Sequence, residues 1–496
     1  MRRLLLKNVV MPLASTVTPF KSWAYMNEMC AADFEPLQRQ RMHRMHLVRQ
    51  LLVHVYREVD LYRIALDRAG VDPIEVSYPR SFARVPITSK DDLRNGFPDR
   101  QLARSYRGKA LRYSNTSGTT GRPLLLIQDT RDISYKYASI LRSRSLAGVD
   151  PLSSQVRLTP NECQPCLPEG DSPQDMWPLT KDRSSPGRRS AFFVFLERKV
   201  VNPLFHRREM LQPFWEGGSN GGPVDYDAYL ERINQAEPEV LSIYPLYALL
   251  LAKHLRRTGA QPPKIKKLID FSAGLAPTQV TEFIRETFGV PTAQSCGGCE
   301  FARYAASCPE DPNRMHLAES YVYVETVRSD GTLCAAGELG NVITTSLHSW
   351  AMPIVRLEPG DVARIISEPC TCGRRSRRIE HHGRIQAVMR TADGRWASAR
   401  DAWEALLFIK GVELFQLIQH SEKKYTLRVL PEPDVTLDKT AMRAALAELL
   451  GKEAKVTTEM VETIAPESSG KLQLVKSATY EDFRPQTVRN QRVPVN

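Results

Sequence analysis

The 496-residue sequence contains no run approaching the roughly 18 apolar residues that a membrane span requires. It also lacks a disulfide framework. Nine Cys, an odd number, are scattered from Cys30 to Cys372, whereas small secreted domains carry denser, even-numbered sets. Reduced thiols in a cytoplasmic protein are expected, some of them on a metal. There is no internal repeat, no long low-complexity tract and no Gly-x4-Gly-Lys-Ser/Thr Walker loop. A clean signal peptide is missing too. Lys7 interrupts the apolar stretch of Met1–Val10, and no small-x-small cleavage site follows. An amphipathic first helix is expected, with a peripheral membrane contact as the alternative.

What is present is globular. Hydrophobic residues make up 42% and charged residues 25%, which excludes wholesale disorder and collagen. The length predicts about three domains, or a large catalytic domain with a small one. Lys and Arg number 68 against 56 acids, a formal excess of +12. That excess suits an anionic ligand such as a nucleotide and leaves nucleic acid or a membrane surface open.

Periodicity predicts a helical stretch over 35–70, where Met42, Met45, Val48, Leu51, Leu52 and Val55 recur at three- and four-residue steps. Thr88-Ser89-Lys90-Asp91-Asp92-Leu93 has a capping hydroxyl followed by acids and predicts a helix start. Strands at 239–244 and 267–271 precede helices at 246–257 and 278–288, the latter stopped by Gly289. This alternation predicts an α/β fold with a parallel sheet and ligands at the strand ends. Segments 321–325, 341–345 and 363–366 read as a separate β subdomain. After Gly383-Arg384 a smaller α+β unit begins, with helices at 402–408 and 439–450 and strands at 414–419 and 425–429. The expected division is 1–383, a large domain, and 384–496, a small mobile one. The Pro-, Ser- and Gly-rich stretch 163–188, with Cys163 and Cys166, reads as a surface loop.

Tyr113-Ser114-Asn115-Thr116-Ser117-Gly118-Thr119-Thr120-Gly121-Arg122-Pro123 concentrates hydroxyls, glycines and a cation. Glycine lets backbone N–H groups approach phosphate oxygens, hydroxyls donate to them, and Arg122 adds charge. Composition alone leaves a plain surface turn equally open. The residue order, however, resembles the phosphate-binding loop of the adenylate-forming superfamily, the acyl- and aryl-CoA ligases, luciferases and adenylation domains. Further motifs follow in that superfamily's order over about 35–480, most similar to the phenylacetate–CoA ligase and CapK-like branch.

The resemblance implies roles for particular residues. Thr116, Ser117, Gly118, Thr119, Thr120, Gly121 and Arg122 would hold ATP phosphates. Ser272-Ala273-Gly274-Leu275 resembles the segment whose backbone lines the adenine, with Leu275 where Glu is usual. Cys296-Gly297-Gly298-Cys299-Glu300 resembles Tyr-Gly-x-Thr-Glu, so Cys296 replaces the aromatic and Glu300 would hold Mg²⁺. Met352-Pro353-Ile354-Val355-Arg356, followed by Gly360-Asp361, implies that Asp361 accepts from the ribose hydroxyls, as a carboxylate can. Gly383-Arg384 resembles the hinge, without the acids that usually follow it. Ser469-Gly470-Lys471 resembles the C-terminal loop whose Lys stabilises charge in adenylation. Tyr244, Pro245 and Ala273 would line the acid pocket.

Cys308, His316, Cys370 and Cys372 make a Cys3His set. Its Cys-x-Cys spacing is tighter than usual, so spacing alone leaves buried thiols and a surface His open. The CapK-like resemblance carries these residues and implies structural zinc. The basic cluster at Arg374, Arg375, Arg377, Arg378, His381, His382, Arg384 and Arg390 reads as a solvated face or a groove for CoA phosphates. With only Trp396 nearby for stacking, nucleic acid is not expected. The implied activity is ATP- and Mg²⁺-dependent activation of a carboxylic acid as an adenylate, then transfer to CoA. An amine acceptor, or a degenerate member that binds without catalysis, is the alternative. A homodimer is compatible with either.

Overall fold

A strand covered by helices on both faces must be apolar along its length, and Val240–Ile243 is buried at every position. The computed structural model describes residues 6–17, 19–109, 111–115, 124–160, 208–215, 224–272, 274, 276–467 and 470–486. The hydroxyl- and glycine-rich loop 116–123, Ala273, Leu275, Cys163 and Cys166 lie outside them.

The N-terminal region is helical: α1 (Met11–Val17), α2 (Ser22–Ala32), α3 (Leu37–Glu58) and α4 (Asp60–Ala69). The periodicity suggested one helical stretch over 35–70. It is broken at Val59, which is extended (φ −125°, ψ 112°). Val48, Leu51, Leu52 and Val55 are fully buried, but Met42 is 67% exposed, so the apolar stripe narrows toward the N-terminus of α3. Two short helices follow, α5 (Pro79–Phe82) and α6 (Lys90–Arg94). The latter starts where Ser89 and Asp92 form a capping box, as the sequence predicts. Asp129 caps α7 (Thr130–Leu146) by accepting from Asp132 N at 2.8 Å.

β1 (Arg112–Asn115) and β2 (Leu125–Gln128) form an antiparallel ribbon that pairs Asn115 with Leu125, on either side of residues 116–123. The main sheet contains β3 (Gln155–Leu158), β4 (Arg208–Met210), β5 (Val240–Ile243), β6 (Leu268–Phe271), β7 (Thr292–Gly298), β8 (Ala302–Cys308), β9 (Asp311–Leu317), β10 (Val322–Val327), β11 (Leu339–Ser346), β12 (Asp361–Ile366) and β13 (Arg378–Arg384). Its 11 strands run β10-β11-β12-β13-β9-β8-β7-β6-β5-β3-β4. Pairings from β4 to β7 are parallel, and those from β7 to β10 are antiparallel. The parallel layer and the β subdomain expected to be separate are therefore one sheet, joined at β7.

α8 (Tyr226–Ala236), α9 (Pro245–Thr258) and α10 (Thr278–Phe288) belong to the parallel half. Pro245 stands at the start of α9, where its missing N–H is harmless, and Gly259 (φ +68°) ends it in the left-handed region. After β13 come a short ribbon, β14 (Met389–Arg390) with β15 (Trp396–Ala397), and α11 (Ala399–Leu406), capped by Ser398 and Asp401. A four-stranded sheet of β16 (Val412–Ser421), β17 (Lys424–Pro431), β18 (Lys455–Met460) and β19 (Val475–Lys476) follows, in order β18-β17-β16-β19. α12 (Lys439–Leu450) lies between β17 and β18, and α13 (Tyr480–Phe483) packs back on the main sheet, where Phe483 clusters with Val362, Ile385 and Val388. One apolar core runs through both parts of the chain: Leu249, Leu250 and Ile284 share it with Trp403, Leu406 and Phe415.

Buried ion pairs tie the N-terminal helices to the sheet. Glu319, 4% exposed, accepts from both Arg44 and Arg377. Asp33 accepts from Arg142 at 2.6 and 3.0 Å. Arg356, 1% exposed, donates to Glu325 at 3.1 Å and to the carbonyls of Ala83 and Val85. It does so from a left-handed backbone (φ +45°). Thr88 N in turn donates to Arg356 O at 2.9 Å, which fixes the approach to α6.

Burial would raise the Glu319 carboxyl, but its two arginines win and hold it near 2. Its contribution to stability is then fully present above the unfolded carboxylate range and is lost as pH falls from about 4.5 to about 2, on the order of 3 kcal/mol in all. Denaturant unfolding of Glu319→Gln against wild type is expected to show a stability gap at pH 7 that closes over that window.

Candidate active site

The site gathers where β7 ends, at the switch from parallel to antiparallel pairing. A Cβ at Gly297 would lie 1.6 Å from the Ala302 carbonyl oxygen, so the chain returns there only without a side chain. A Cβ at Gly298 would meet Glu300 Oε2 at 2.6 Å. Ala302 completes the return with φ +53°. The turn leaves Glu300 4% exposed. Its Oε1 stands 3.3 Å from Lys90 Nζ at the start of α6 but makes no aligned hydrogen bond. A buried carboxylate oxygen without a directed partner fits a Mg²⁺ ligand.

Asp361 opens β12 and lies opposite Arg384, the last residue of β13. Arg384 donates to Asp361 Oδ1 at 2.8 Å and to the Pro359 carbonyl at 3.0 Å. Gly360 (φ +88°) makes this possible, since a Cβ there would crowd Arg384 Nη2 at 3.1 Å. Tyr304 Oη, from β8, reaches Asp361 Oδ2 at 3.5 Å, and His381 Nε2 reaches Oδ1 at 3.5 Å. Burial alone would raise the Asp361 carboxyl. The Arg384 charge and the His381 contact instead pull it well below the ordinary carboxylate range. Asp361 is therefore a fixed anion, as a ribose acceptor needs to be. Cys296 Sγ is 2.9 Å from Tyr304 Oη, so the phenol ties β7 to the Asp361 cluster. Tyr304 is only 1% exposed, so its ring presents no open stacking face.

On the parallel half, Gly274 lies against Tyr244 and Pro245; a Cβ there would come within 2.2 Å of the Tyr244 ring. Tyr244 is 5% exposed, and burial pushes its phenol well up, so it presents a neutral apolar wall. Tyr247, one turn along α9, donates to the Gly470 carbonyl at 3.4 Å. This brings Gly470, next to Lys471, against the first turn of α9. Lys471 is held in a tight turn in which Glu467 N donates to its carbonyl at 2.8 Å and Gly470 N donates to Glu467 O at 2.8 Å. The structure thus assembles Glu300, Cys296, Gly297, Asp361 and Arg384 around β7, and sets Gly274, Tyr244, Pro245 and the Lys471 loop along α9.

Motif reading alone did not find Lys90, Tyr304 or Tyr247. Their roles depend on strand pairing and helix docking, which leave no local pattern. His381 was read only as part of a basic cluster, most of which is paired. Arg377, Arg378, His382, Arg384 and Arg390 each pair with a carboxylate, respectively Glu319, Asp311, Glu380, Asp361 and Glu422.

The Cys3His set is brought together: Cys308, His316, Cys370 and Cys372 offer donor atoms within 4.8 Å of one another. Cys308 and Cys370 sulfurs are 3.6 Å apart, and Cys372 Sγ is 3.4 Å from His316 Nε2. Tetrahedral zinc with Zn–S near ~2.3 Å and Zn–N near ~2.0 Å puts such donors about 3.5–3.8 Å apart. The other ring nitrogen, Nδ1, meets Ser376 Oγ at 3.1 Å, which orients the imidazole. Burial pushes His316 down to about 3 and so keeps it neutral, the ligating form. The donors fit zinc.

Substituting Gly297→Ala is expected to cost ~2–3 kcal/mol in unfolding free energy, read by denaturant titration, because backbone rather than a flexible side chain blocks the new methyl.

Residues 391–478 match the CapK C-terminal domain family. The chain is 26% identical over 440 residues to the phenylacetate–coenzyme A ligase of Thermus thermophilus, covering 86% of each. It is 24% identical over 349 residues to that of Pseudomonas putida, covering 69% of this chain and 70% of the relative. A solved structure of 2-hydroxyisobutyryl-CoA ligase, in the postadenylation state with its acyl-AMP, superposes with a TM-score of 0.67 at 16% identity, covering 90% of each chain. The chain is therefore a homologue of the phenylacetate–CoA ligases with a CapK C-terminal domain, on the fold of the adenylate-forming CoA ligases.

Proposed function

We propose that the protein activates an aromatic or small carboxylic acid with ATP and transfers the acyl group to CoA. The homology to phenylacetate–CoA ligases over 86% of the chain supports the reaction class. The observation that supports carrying it to residues is the hydrogen bond from Tyr247, near the start of α9, to the carbonyl of Gly470, the neighbour of Lys471.

In this reading the acid carboxylate attacks the α-phosphorus of ATP, and pyrophosphate leaves. Negative charge grows on the phosphoryl oxygens, and a preplaced ammonium stabilises it without reorganisation. Lys471 supplies that ammonium. Asp361, kept ionised by Arg384, accepts from the ribose hydroxyls. The backbone around Gly274 lines the base, with the apolar wall of Tyr244 and Pro245 behind the acid. Arg122 and residues 116–121 bind the phosphates. Glu300 would hold Mg²⁺, which neutralises phosphate charge when bound. The CoA thiol then attacks the acyl-adenylate carbonyl and AMP leaves. Residues 1–383 and 384–496 act as large and small domains in this scheme.

Acid-dependent ATP–pyrophosphate exchange across a panel of aryl and short-chain acids tests the reading. At least one acid is expected to drive exchange, Lys471→Ala to reduce it at least 100-fold, and CoA to yield a thioester by mass spectrometry. No exchange with any acid would favour a binding protein without catalysis, and acid-dependent exchange indifferent to Lys471 would remove Lys471 from the adenylation step.

We further propose that Cys308, His316, Cys370 and Cys372 bind a structural zinc joining the ends of β8 and β9 to the segment between β12 and β13. Elemental analysis is expected to give one zinc per chain. Cys372→Ser should lose it and lower the melting temperature.

A further inference from the structure

Lys253 sits in the middle of α9 and is 8% exposed. Burying an ammonium is costly unless each proton finds an acceptor. Here three acceptors are present, and all belong to the C-terminal part of the chain. Nζ donates to the carbonyls of Leu407 at 3.1 Å, Val412 at 2.6 Å and Glu413 at 3.1 Å. An ammonium has three donors, so the set is complete. Leu407 O lies just past the last residue of α11, a helix end whose carbonyls have no partner within the helix. Val412 O and Glu413 O belong to the first residues of β16. Lys253 therefore joins the helix and the first strand of the small domain to a helix of the large one.

The surroundings strengthen the joint. Arg257, one turn further along α9, reaches Glu413 at 3.5 Å. Phe283 of α10 meets Phe408 edge-on at 5.3 Å, and Arg400 donates to Thr278 at 2.8 Å. The apolar core is continuous across this junction. α9 carries both Lys253 and Tyr247, the residue that touches the Lys471 loop.

We propose that Lys253 is a positioning residue: its ammonium pins the small domain, and with it Lys471, against the strand-end face of the large domain. This inference rests on the reading of Lys471 given above. Lys253 touches no reacting atom in it and acts through the orientation of the domain.

The test compares wild type with Lys253→Met, which keeps the stem and removes the donors, and with Lys253→Arg. Fluorescent non-natural residues at Met42 and Met460, both exposed, report the distribution of distances between the two parts. ATP–pyrophosphate exchange reports adenylation. Lys253→Met is expected to broaden the distance distribution and to lower the exchange kcat at least tenfold, with the KM for acid within threefold. Lys253→Arg is expected to recover at least half of the wild-type rate. A role confined to stability would lower the melting temperature and leave exchange per folded molecule unchanged. Either an unchanged distribution or an unchanged exchange rate per folded molecule overturns the pin. Should the methionine variant not fold, Lys253→Gln takes its place under the same criteria. If wild type gives no exchange with any acid, the reading of the reaction fails, and the distance distribution alone decides the pin.

Discussion

β7 must be parallel to β6 on one side and antiparallel to β8 on the other, and this double pairing shapes the rest of the molecule. A parallel neighbour requires a long crossover, whereas an antiparallel one allows a tight return. The return comes immediately, at Gly297, where a Cβ would run into the Ala302 backbone. The antiparallel strands then bring Tyr304, Asp361, His381 and Arg384 to the same end of the sheet as the parallel strand ends. A site built at such a seam draws on both halves of the sheet, and neither half holds all of it.

The same seam makes charge placement demanding. Asp361 lies 7% exposed among one guanidinium, one imidazole and one phenol. A lone buried carboxylate would shed its charge, and the fixed Arg384 prevents that. The missing acids after Arg384 are consistent with this arrangement. Ile385 and Ala387 are buried, and Val388 is fully buried, so carboxylates in this stretch would need partners it does not supply. The boundary expected at residue 384 falls in a packed segment, and the apolar core joins α9 and α10 to α11 and β16 beside the Lys253 contacts.

Much of this was legible in the sequence, for identifiable reasons. β5 and β6 stood out because they are short runs with three apolar residues in four, and α9 and α10 because Pro245, Gly259 and Gly289 punctuate them. The motifs around Asp361, Glu300 and Lys471 could be singled out because each is local in sequence. The break at Val59 was not readable, since a Val inside an apolar pattern carries no stop signal. Nor was the fusion of two sheets into one, because β7 looks the same whichever way its next neighbour runs. Lys253 was invisible for a similar reason. Its three acceptors are main-chain carbonyls more than 150 residues away, and carbonyls have no residue identity to read.

Two clusters of potential metal ligands occur among the described residues, and their chemistry separates them. Cys296, Asp361 and His381 offer donors within 4.8 Å, as do Cys308, His316, Cys370 and Cys372. A metal taken by His381 Nε2 would require the proton to sit on Nδ1. Yet Nδ1 accepts from the backbone N–H of Gly383 at 3.2 Å, so Nε2 carries the proton and faces Asp361 as a donor. Arg384, 2.8 Å from Asp361, already supplies the positive charge a metal would bring. At His316 the arrangement is reversed. Nδ1 meets a hydroxyl that can accept a hydrogen bond from its N–H, which leaves the Nε2 lone pair directed at the Cys372 thiol. The first cluster is therefore suited to holding a carboxylate ready for hydroxyl donors, and the second to closing around a cation, although both present cysteine and histidine at similar separations.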